Sequence, residues 1–272
     1  MTIALGVLAT DGLVIAADTQ VTAGYLKMSQ SKVSWAGKSE VPPGTKRGQI
    51  VVSGAGVETS IKYLRNAITS GFQRGDMSVA SINEAMREET LNYHTTHVTP
   101  HGRDGSLDVW MIVGALDNHE GKLWTTDRSV VNEESIFGAV GEGAAYARIV
   151  MNQAFAWMDT IGSMLLAAYV VWRVKRTIDS VGEETDIFGI RRDRSFIVER
   201  PIAQQMADIF AQYEALSAKA MHSVFCGNAA TPSFRRLKRE TEKLVQQIDR
   251  VPEWALPTGQ LTNPTSSEIS QT

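Results

Sequence analysis

The sequence predicts an α+β fold in which two antiparallel sheets are sandwiched between two layers of helices. Strand-like segments come in consecutive groups, and only the Asp11-Gly12 turn, typical of a hairpin, separates the first two. Helical segments come in two pairs, one between the groups of strands and one before the last strands. Because hairpin-linked strands lie antiparallel and apolar faces must be buried, this order favours a four-layer αββα sandwich with extra C-terminal helices.

The strands are predicted from short or alternating apolar runs. Residues 3–9 alternate large and small side chains, and residues 13–17 form the return strand of the hairpin. A loop is predicted over residues 19–31, and a longer loop, rich in Gly, Pro and Lys, over residues 36–48. Further strands are predicted over residues 32–35, 49–53, 107–115, 122–125, 135–140, 184–191 and 194–198.

Helical spacing of apolar residues predicts four helices within the sandwich. Ser78 or Ser81 is the expected N-cap of the second helix, since a serine hydroxyl there accepts a hydrogen bond from an unpaired amide of the first turn. The four helices are predicted over residues 59–70, 78 to about 94, 144 to about 158, and 163–178.

Three histidines after the second helix have the spacing HxxHxxxH and are candidate metal ligands. They are His94, His97 and His101. Pro100 and Gly102 interrupt any helix that would align the three rings. We therefore expect a solvated loop there, and no metal site.

Beyond residue 198 the pattern changes and predicts a C-terminal extension. Residues 201–225 form an amphipathic helix, and Ser233 is the expected cap of a second one. Residues 252–272 are rich in Pro, Thr and Ser and are expected to be disordered. The predicted organisation is a sandwich domain over residues 1–198, a helical extension over 199–250 and a disordered tail over 251–272.

Composition narrows the range of partners and compartments. The chain has 272 residues with a net charge of −3, so no basic surface points to nucleic acid or to a membrane as a partner. The lone Cys226 cannot form an intrachain disulfide and fits a reducing compartment. No secretory signal or membrane span is visible, so a cytoplasmic location is expected.

The N-terminus offers a nucleophile. Removal of Met1, which is usual before a small residue, would leave Thr2 with both a hydroxyl and a free α-amine. Such an amine has a pKa of about 7.7–8.0, so a useful fraction of it is neutral at physiological pH. A neutral amine can take the hydroxyl proton, and a threonine paired with its own amine is a known activated nucleophile.

The surrounding residues resemble a known family. The opening of proteasome β-type subunits and their bacterial relatives, which are N-terminal-nucleophile hydrolases, is similar to this sequence at Thr2, Gly6, Asp11-Gly12, Ala16-Ala17-Asp18-Thr19 and Thr22. The similarity continues in order to about residue 190, at Ser53-Gly54-Ala55-Gly56, Asp108 to Gly114, Gly141-Glu142-Gly143-Ala144, Asp179 to Gly182 and Asp186-Ile187. The extension lies outside it, and the resemblance implies a bacterial member of the family.

The resemblance implies a role for each matching residue. Thr2 would be the nucleophile, and Lys32 the cation that favours a neutral amine and stabilises the alkoxide. Asp18 would hold that lysine charged and oriented through a buried ion pair. The amide of Gly56 would donate to the oxyanion, and Asp179 would support the site from the far helix.

For the lysine, the sequence offers alternative residues. Lys38 is an alternative match for the lysine, and Lys27 is a weaker one. By position, Val21 and Glu58 would line the first substrate pocket. The long loop over residues 36–48 borders that pocket in the resemblance, so the substrate preference of the family does not carry over.

One position departs from the family. Glu142 stands where the family carries a serine between two glycines, near the terminal amine, and Ser180 or Val181 is also expected near this amine. A carboxylate there would raise the pKa of the amine and weaken it as a base. Alternatively, Glu142 would pair with the lysine or the amine and bind substrate.

The resemblance also implies a function. It predicts a threonine endopeptidase that acts on polypeptides without a cofactor or metal, assembles into rings and works with an ATP-dependent unfoldase. Two alternatives are kept: an inactive proteasome-like structural subunit, and a hydrolase of small amides on the same fold.

Overall fold

The computed structural model describes residues 2–23, 26–37, 48–74, 78–101, 108–117, 120–192, 194–225 and 232–255. In chain order its strands are β1 (Ile3–Ala9), β2 (Gly12–Asp18), β3 (Gln20–Ala23), β4 (Leu26–Ser29), β5 (Ser34–Gly37), β6 (Gln49–Gly56), β7 (Val109–Leu116), β8 (Gly121–Asp127), β9 (Val130–Glu134), β10 (Phe137–Gly141), β11 (Thr185–Arg191) and β12 (Ser195–Val198). Its α-helices are α1 (Glu58–Arg74), α2 (Val79–Tyr93), α3 (Ala144–Ala154), α4 (Thr160–Thr177), α5 (Arg200–Phe225) and α6 (Pro232–Ala255).

Two five-stranded antiparallel sheets lie at the centre of the fold. The first has the strand order β10-β1-β2-β11-β12 and the second has the order β5-β6-β7-β8-β9. The hairpin of β3 and β4 is a separate two-stranded sheet. Side chains from both large sheets pack between them, among them Leu13, Ile15, Val51, Ile112 and Leu123.

A pair of helices covers the outer face of each large sheet. Helices α3 and α4 pack on β1, β2 and β10 around a core that includes Leu5, Val14 and Met164. Helices α1 and α2 pack on the second sheet around Leu64 and Met86. The predicted αββα sandwich is confirmed.

The C-terminal extension adds to the side of the first sheet. Helix α5 packs on α4 and β11, and α6 packs on α5. Helix α6 begins at Pro232, one residue before the predicted cap Ser233, and proline is well suited to a first helical turn. This helix continues past the predicted boundary at residue 250, and residues 256–272 of the predicted tail lie outside the described residues.

N-caps fix two of the helix starts. The Ser78 hydroxyl accepts a hydrogen bond from the amide of Ser81 at 3.2 Å, which confirms one of the two predicted caps of α2. The Asp159 carboxylate accepts a hydrogen bond from the amide of Gly162 at 2.9 Å. This cap starts α4 three residues before the predicted position 163.

Several predicted bounds were wrong. The loop predicted over 19–31 contains β3 and β4, while β5 starts at Ser34 rather than Lys32, and α3 ends at Ala154 rather than 158. Strand β9 was not predicted, because it is a largely exposed edge strand without apolar alternation. The long predicted loop over 36–48 lies mostly outside the described residues, as does Cys226.

The histidine segment is helical rather than a loop. A π-helical turn covers His94–Val98 and a 3-10 turn covers Thr99–His101, so they prolong α2. The tighter 3-10 turn accommodates Pro100, which an α-helix would not. His94 is buried, and burial lowers the pKa of its imidazole. No grouping of three or more metal-binding side chains occurs in the described ranges.

Candidate active site

Lys32 is buried near the N-terminus, where its side chain contacts three oxygen atoms. Its ammonium Nζ donates hydrogen bonds to Thr2 Oγ1, to Asp18 Oδ1 at 3.0 Å and to the carbonyl oxygen of Gln20 at 2.5 Å. An ammonium group has three N–H donors, so all of them are used. The exposed fraction is 7% for Lys32, 4% for Thr2 and 0% for Asp18. The structure therefore brings together the predicted nucleophile, its cation and the counter-charge.

The sheet places Asp18 next to the N-terminus. Because Ala4 pairs with Ala17 across β1 and β2, the end of β2 lies beside the start of β1. The Asp18 carboxylate accepts hydrogen bonds from the amide of Ile3 at 3.0 Å and from the amide of Gly182 at 3.3 Å, in addition to Lys32. Donors on several sides compensate for the loss of water around a buried carboxylate.

The ionisation of Lys32 reflects competing effects. Burial lowers the pKa of Lys32, because the protein interior stabilises the ammonium form less well than water does. The negative charges of Asp18 and Asp186 oppose this shift. Lys32 is thus a desolvated cation held against the Thr2 hydroxyl, where it would stabilise a developing alkoxide.

A glycine turn holds the main chain of Thr2. Gly141 has a φ of +94°, and a Cβ atom at this position would lie 2.2 Å from the Thr2 carbonyl oxygen. The amide of Gly143 donates to that oxygen at 3.4 Å. Glu142, between these two glycines, is exposed and accepts a hydrogen bond from the Ser180 hydroxyl at 2.5 Å. Glu142 and Ser180 therefore lie on the solvent side of the nucleophile.

A cleft of about 1040 Å³ opens beside Thr2. Gly56 and Glu142 line it together with Asp108, Trp110 and Asn132. Gly56 has a φ of +122° at the end of β6, and a Cβ atom there would lie 2.4 Å from the Asp108 carbonyl oxygen. The predicted oxyanion donor and the nucleophile thus line the same cleft, although the role of Gly56 stays a prediction.

Other predicted residues lie elsewhere. Val21 is half-buried on β3, and Glu58 is exposed at the start of α1; neither lines this cleft. Asp179 is exposed in the turn after α4. Lys27 is exposed on β4, whereas Lys38 lies outside the described residues. The roles proposed for Val21, Glu58 and Asp179 stay predictions.

The structure adds contacts that the sequence reasoning missed. Gln20 supplies a carbonyl oxygen to Lys32, and its side-chain amide donates to the Ser180 carbonyl at 3.2 Å. Gly182 supplies an amide to Asp18. Main-chain contacts leave no residue type to recognise, so nothing in the sequence marks Gln20 as part of the site, and Gly182 is marked only as the end of a matching segment.

Comparisons with known proteins identify a weak sequence relative but no family model. No model of a known protein family matches the sequence. The proteasome subunit alpha of Methanococcus maripaludis is 23% identical over 220 residues, which cover 80% of this chain and 81% of that protein. This is a weak homology to a proteasome α subunit.

Solved structures show the fold. Anbu (ancestral beta-subunit) from Yersinia bercovieri matches with a TM-score of 0.64 at 16% identity, over 85% of this chain and 98% of that one. The helical assembly of the Anbu complex from Pseudomonas aeruginosa matches with a TM-score of 0.65 at 19% identity, over 85% of this chain and 99% of that one.

The long helices of the described residues include none that is apolar enough to cross a membrane. The β-type assignment and a bacterial source remain predictions, since the sequence relative is an α subunit. The chain has the proteasome-like fold of Anbu and is weakly homologous to a proteasome α subunit.

Proposed function

We propose that this protein is a threonine-type peptidase that hydrolyses peptide bonds through an ester on Thr2 once Met1 is removed. The observation that carries this proposal is the buried hydrogen bond from Lys32 Nζ to Thr2 Oγ1, with Asp18 bound to the same ammonium group. A surface lysine near a surface threonine would carry no such implication. Here both groups are desolvated next to a cleft large enough for a peptide segment.

The proposed reaction begins with proton transfer. The free α-amine of Thr2 takes the hydroxyl proton while Lys32 stabilises the negative charge on Oγ1. The oxygen attacks the peptide carbonyl carbon, and the amide of Gly56 donates to the oxyanion that forms, an interaction worth on the order of 3–4 kcal/mol. The protonated amine then gives its proton to the leaving nitrogen, which breaks the C–N bond. Water hydrolyses the remaining ester and regenerates Thr2.

We also propose that the protein self-associates into a ring or related assembly. The Pseudomonas aeruginosa relative of the same fold forms a helical assembly, and the weak sequence relative is a proteasome subunit. In this proposal, polypeptide substrates reach the sites inside the assembly with the help of an ATP-dependent unfoldase. The helices α5 and α6 serve as the assembly element.

Intact mass spectrometry tests the catalytic proposal. We expect the loss of one methionine, followed by one covalent adduct on Thr2 with a β-lactone or epoxyketone probe. Thr2→Ser should keep the adduct and Thr2→Ala should lose it. Lys32→Ala should slow labelling by roughly a hundredfold or more, whereas Lys27→Ala, which removes an exposed lysine, should not change it. A Thr2→Ala variant that retains peptidase activity would refute the threonine mechanism.

A non-catalytic structural subunit is the second candidate. The observation that favours it is that Glu142 stands in the chain between the two glycines that hold Thr2 and lines the same cleft, where its charge would weaken the amine as a base. Retained Met1 and no adduct, under conditions where a control peptidase reacts, would support this candidate. Adduct formation with hydrolysis of small amides but not of peptides would instead support an amide hydrolase.

A further inference from the structure

We propose that Asp186 is a positioning residue for Lys32, and that Arg200, at the start of the C-terminal extension, holds Asp186 in place. This proposal rests on the catalytic role that we assign to Lys32. It gives the extension a second role besides assembly, because its first helical residue is tied to the candidate active site.

Asp186 lies on the face of β11 that is turned towards Lys32. Asp186 pairs with Ala17, and its neighbour Thr185 pairs with Asp18, so Asp186 lies beside the strand that carries the counter-charge of Lys32. Residues two apart on a strand share a face, so Asp186 shares one with Phe188. The Phe188 ring packs on Trp35, with ring centroids 5.7 Å apart. This face of β11 is therefore turned towards the segment that runs from Lys32 to Trp35.

Arg200 connects the extension to Asp186. Arg200 Nε binds Asp186 Oδ1 at 3.1 Å, and Arg200 Nη1 binds Glu184 Oε2 at 2.5 Å. Glu184 in turn accepts a hydrogen bond from the Ser29 hydroxyl at 3.0 Å. One guanidinium group thus joins α5 to β11 and, through Glu184, to the β3–β4 hairpin.

The Asp186 carboxylate has a second oxygen, Oδ2, besides the one that binds Arg200. Asp186 Oδ2 is buried and has no hydrogen-bond partner among the residues that the structure describes. A buried, unpartnered oxygen is costly unless its charge is used. The negative charge of Asp186 opposes the lowering of the Lys32 pKa by burial, which supports the assignment made from geometry.

Other charged groups also lie near Lys32 and Asp186. Asp18 on β2 binds Lys32 directly. Lys175 on α4 donates to the Thr185 hydroxyl at 2.9 Å and interacts with Asp18, Asp186, Glu183 and Glu184. Since these groups stay in place in the variants described next, the effect of each substitution is read as a difference from the wild type.

Two substitutions should act in opposite directions. Asp186→Asn removes a negative charge near Lys32, so the Lys32 ammonium should titrate at a lower pH. Arg200→Gln removes the cation that neutralises Asp186, so the carboxylate acts more strongly on Lys32, which should titrate at a higher pH. We expect shifts on the order of one pH unit, and Arg200→Lys should stay near the wild type. A merely structural contact would not give shifts of opposite sign.

The Lys32 titration is measured by NMR on the full-length chain, with lysine labelled at the ε carbon and the Lys32 signal assigned from Lys32→Arg. Arg191→Gln is the matched control, since Arg191 Nε binds Asp11 at the same 3.1 Å but at the other end of β11. Opposite shifts support the proposal. Equal titrations in wild type, Asp186→Asn and Arg200→Gln overturn it. If Asp186→Asn does not fold, the partly exposed Arg200→Gln alone decides.

The same variants are then treated with the β-lactone probe. The expected shifts without any adduct on Thr2 would refute the catalytic function and leave the positioning of Lys32 intact. An adduct in the wild type with no titration shift in the variants would refute the positioning role alone.

Discussion

Glu142 is the residue next to Thr2 whose charge should matter most for catalysis. Glu142 stands in the chain between Gly141 and Gly143, the two glycines at the Thr2 carbonyl oxygen, and its one described hydrogen bond comes from Ser180. A nearby negative charge stabilises the protonated amine, so it raises the pKa of that amine above its ordinary value of about 7.7–8.0. At neutral pH, less of the amine would be free to act as the base.

Glu142→Gln should therefore move the pH dependence of labelling to lower pH. With the charge removed, the pKa of the Thr2 amine falls, and the rise of the labelling rate with pH begins earlier, by roughly one pH unit. The measurement is the rate of adduct formation with the β-lactone probe between pH 5 and 9. Ser180→Ala, which removes the hydrogen bond but keeps the charge, should leave most of the profile in place. An unchanged profile in Glu142→Gln would show that the carboxylate does not act on the amine.

Lys175 is a second lysine near the site; it is half-buried and is expected to affect stability. Burial lowers its pKa to about 8, from an ordinary value of 10.5. Below pH 8 the lysine is charged in both the folded and unfolded states, so the cost of burying the charge is fully present. Between pH 8 and 10.5 the folded protein loses the proton while the unfolded chain keeps it, and folding becomes more favourable as pH rises.

Lys175→Met should accordingly be more stable than the wild type at pH 7, by at most about 3 kcal/mol. The difference in unfolding free energy between the two proteins should shrink as pH rises from 8 to 10.5. Urea denaturation at several pH values measures it. A constant difference across this range would show that Lys175 does not titrate there.

At the scale of elements, the turn between β10 and α3 fixes the position of Thr2. Gly141 adopts a left-handed conformation that a side chain disfavours, and any Cβ atom would collide with the Thr2 carbonyl oxygen. The turn is therefore specific for glycine for two independent reasons, and one of them is contact with the nucleophile itself.

Gly141→Ala should destabilise the protein by roughly 1–3 kcal/mol and suppress labelling of Thr2, because the main chain of the nucleophile must move. Gly121→Ala is the matched control, as a Cβ atom there would be 3.5 Å from its nearest neighbour. Thermal unfolding and adduct formation are measured for both. Normal labelling of a folded Gly141→Ala protein would contradict the positioning role of the turn.

Elements with a strong apolar signal were predictable from the sequence, and those without one were not. The hairpin of β1 and β2 and the paired helices follow from turn chemistry and periodicity. Strands β4 and β9 are largely exposed, so they lack the alternation that marks a strand. They form because their backbone groups pair with neighbouring strands.

The candidate site was predictable in part for a similar reason. Thr2, Asp18 and Lys32 could be named because a resemblance supplied their roles, and the structure brings them together. Contacts made by the main chain, such as the Gln20 carbonyl, depend on strand geometry and not on residue type. Asp186 lies far along the chain from Lys32, and only the register of β2 and β11 brings it near.

At the scale of the whole molecule, the extension buries one face and exposes another. Helix α5 packs on α4 through Met206, Ile209 and Phe210. Elsewhere on the extension, Met221 of α5 and Val245 of α6 are exposed. Exposed apolar side chains on a helical layer are compatible with a contact between copies of the chain.

Deletion of residues 199–272 should reduce the size of the assembly if the extension is the assembly element. Light scattering coupled to size-exclusion chromatography measures this size. The shorter deletion of residues 232–272 keeps α5 on α4, so it separates loss of the α6 contact from exposure of the core. An unchanged assembly in a folded protein that lacks residues 199–272 would refute the proposed role of the extension.

Substitution of exposed side chains gives a stricter test, because the covered core stays covered. Glutamate at Met221 and Val245 would place two charges in any contact that buries these positions, and burial of an unpaired charge is strongly unfavourable. We expect the Met221→Glu, Val245→Glu variant to dissociate into smaller species with unchanged thermal stability of the subunit. Leu91→Glu is the matched control, as Leu91 is similarly exposed on α2, on the opposite side of the sandwich. If Leu91→Glu dissociates the assembly and the extension variant does not, the contact between copies lies on the α1–α2 layer instead.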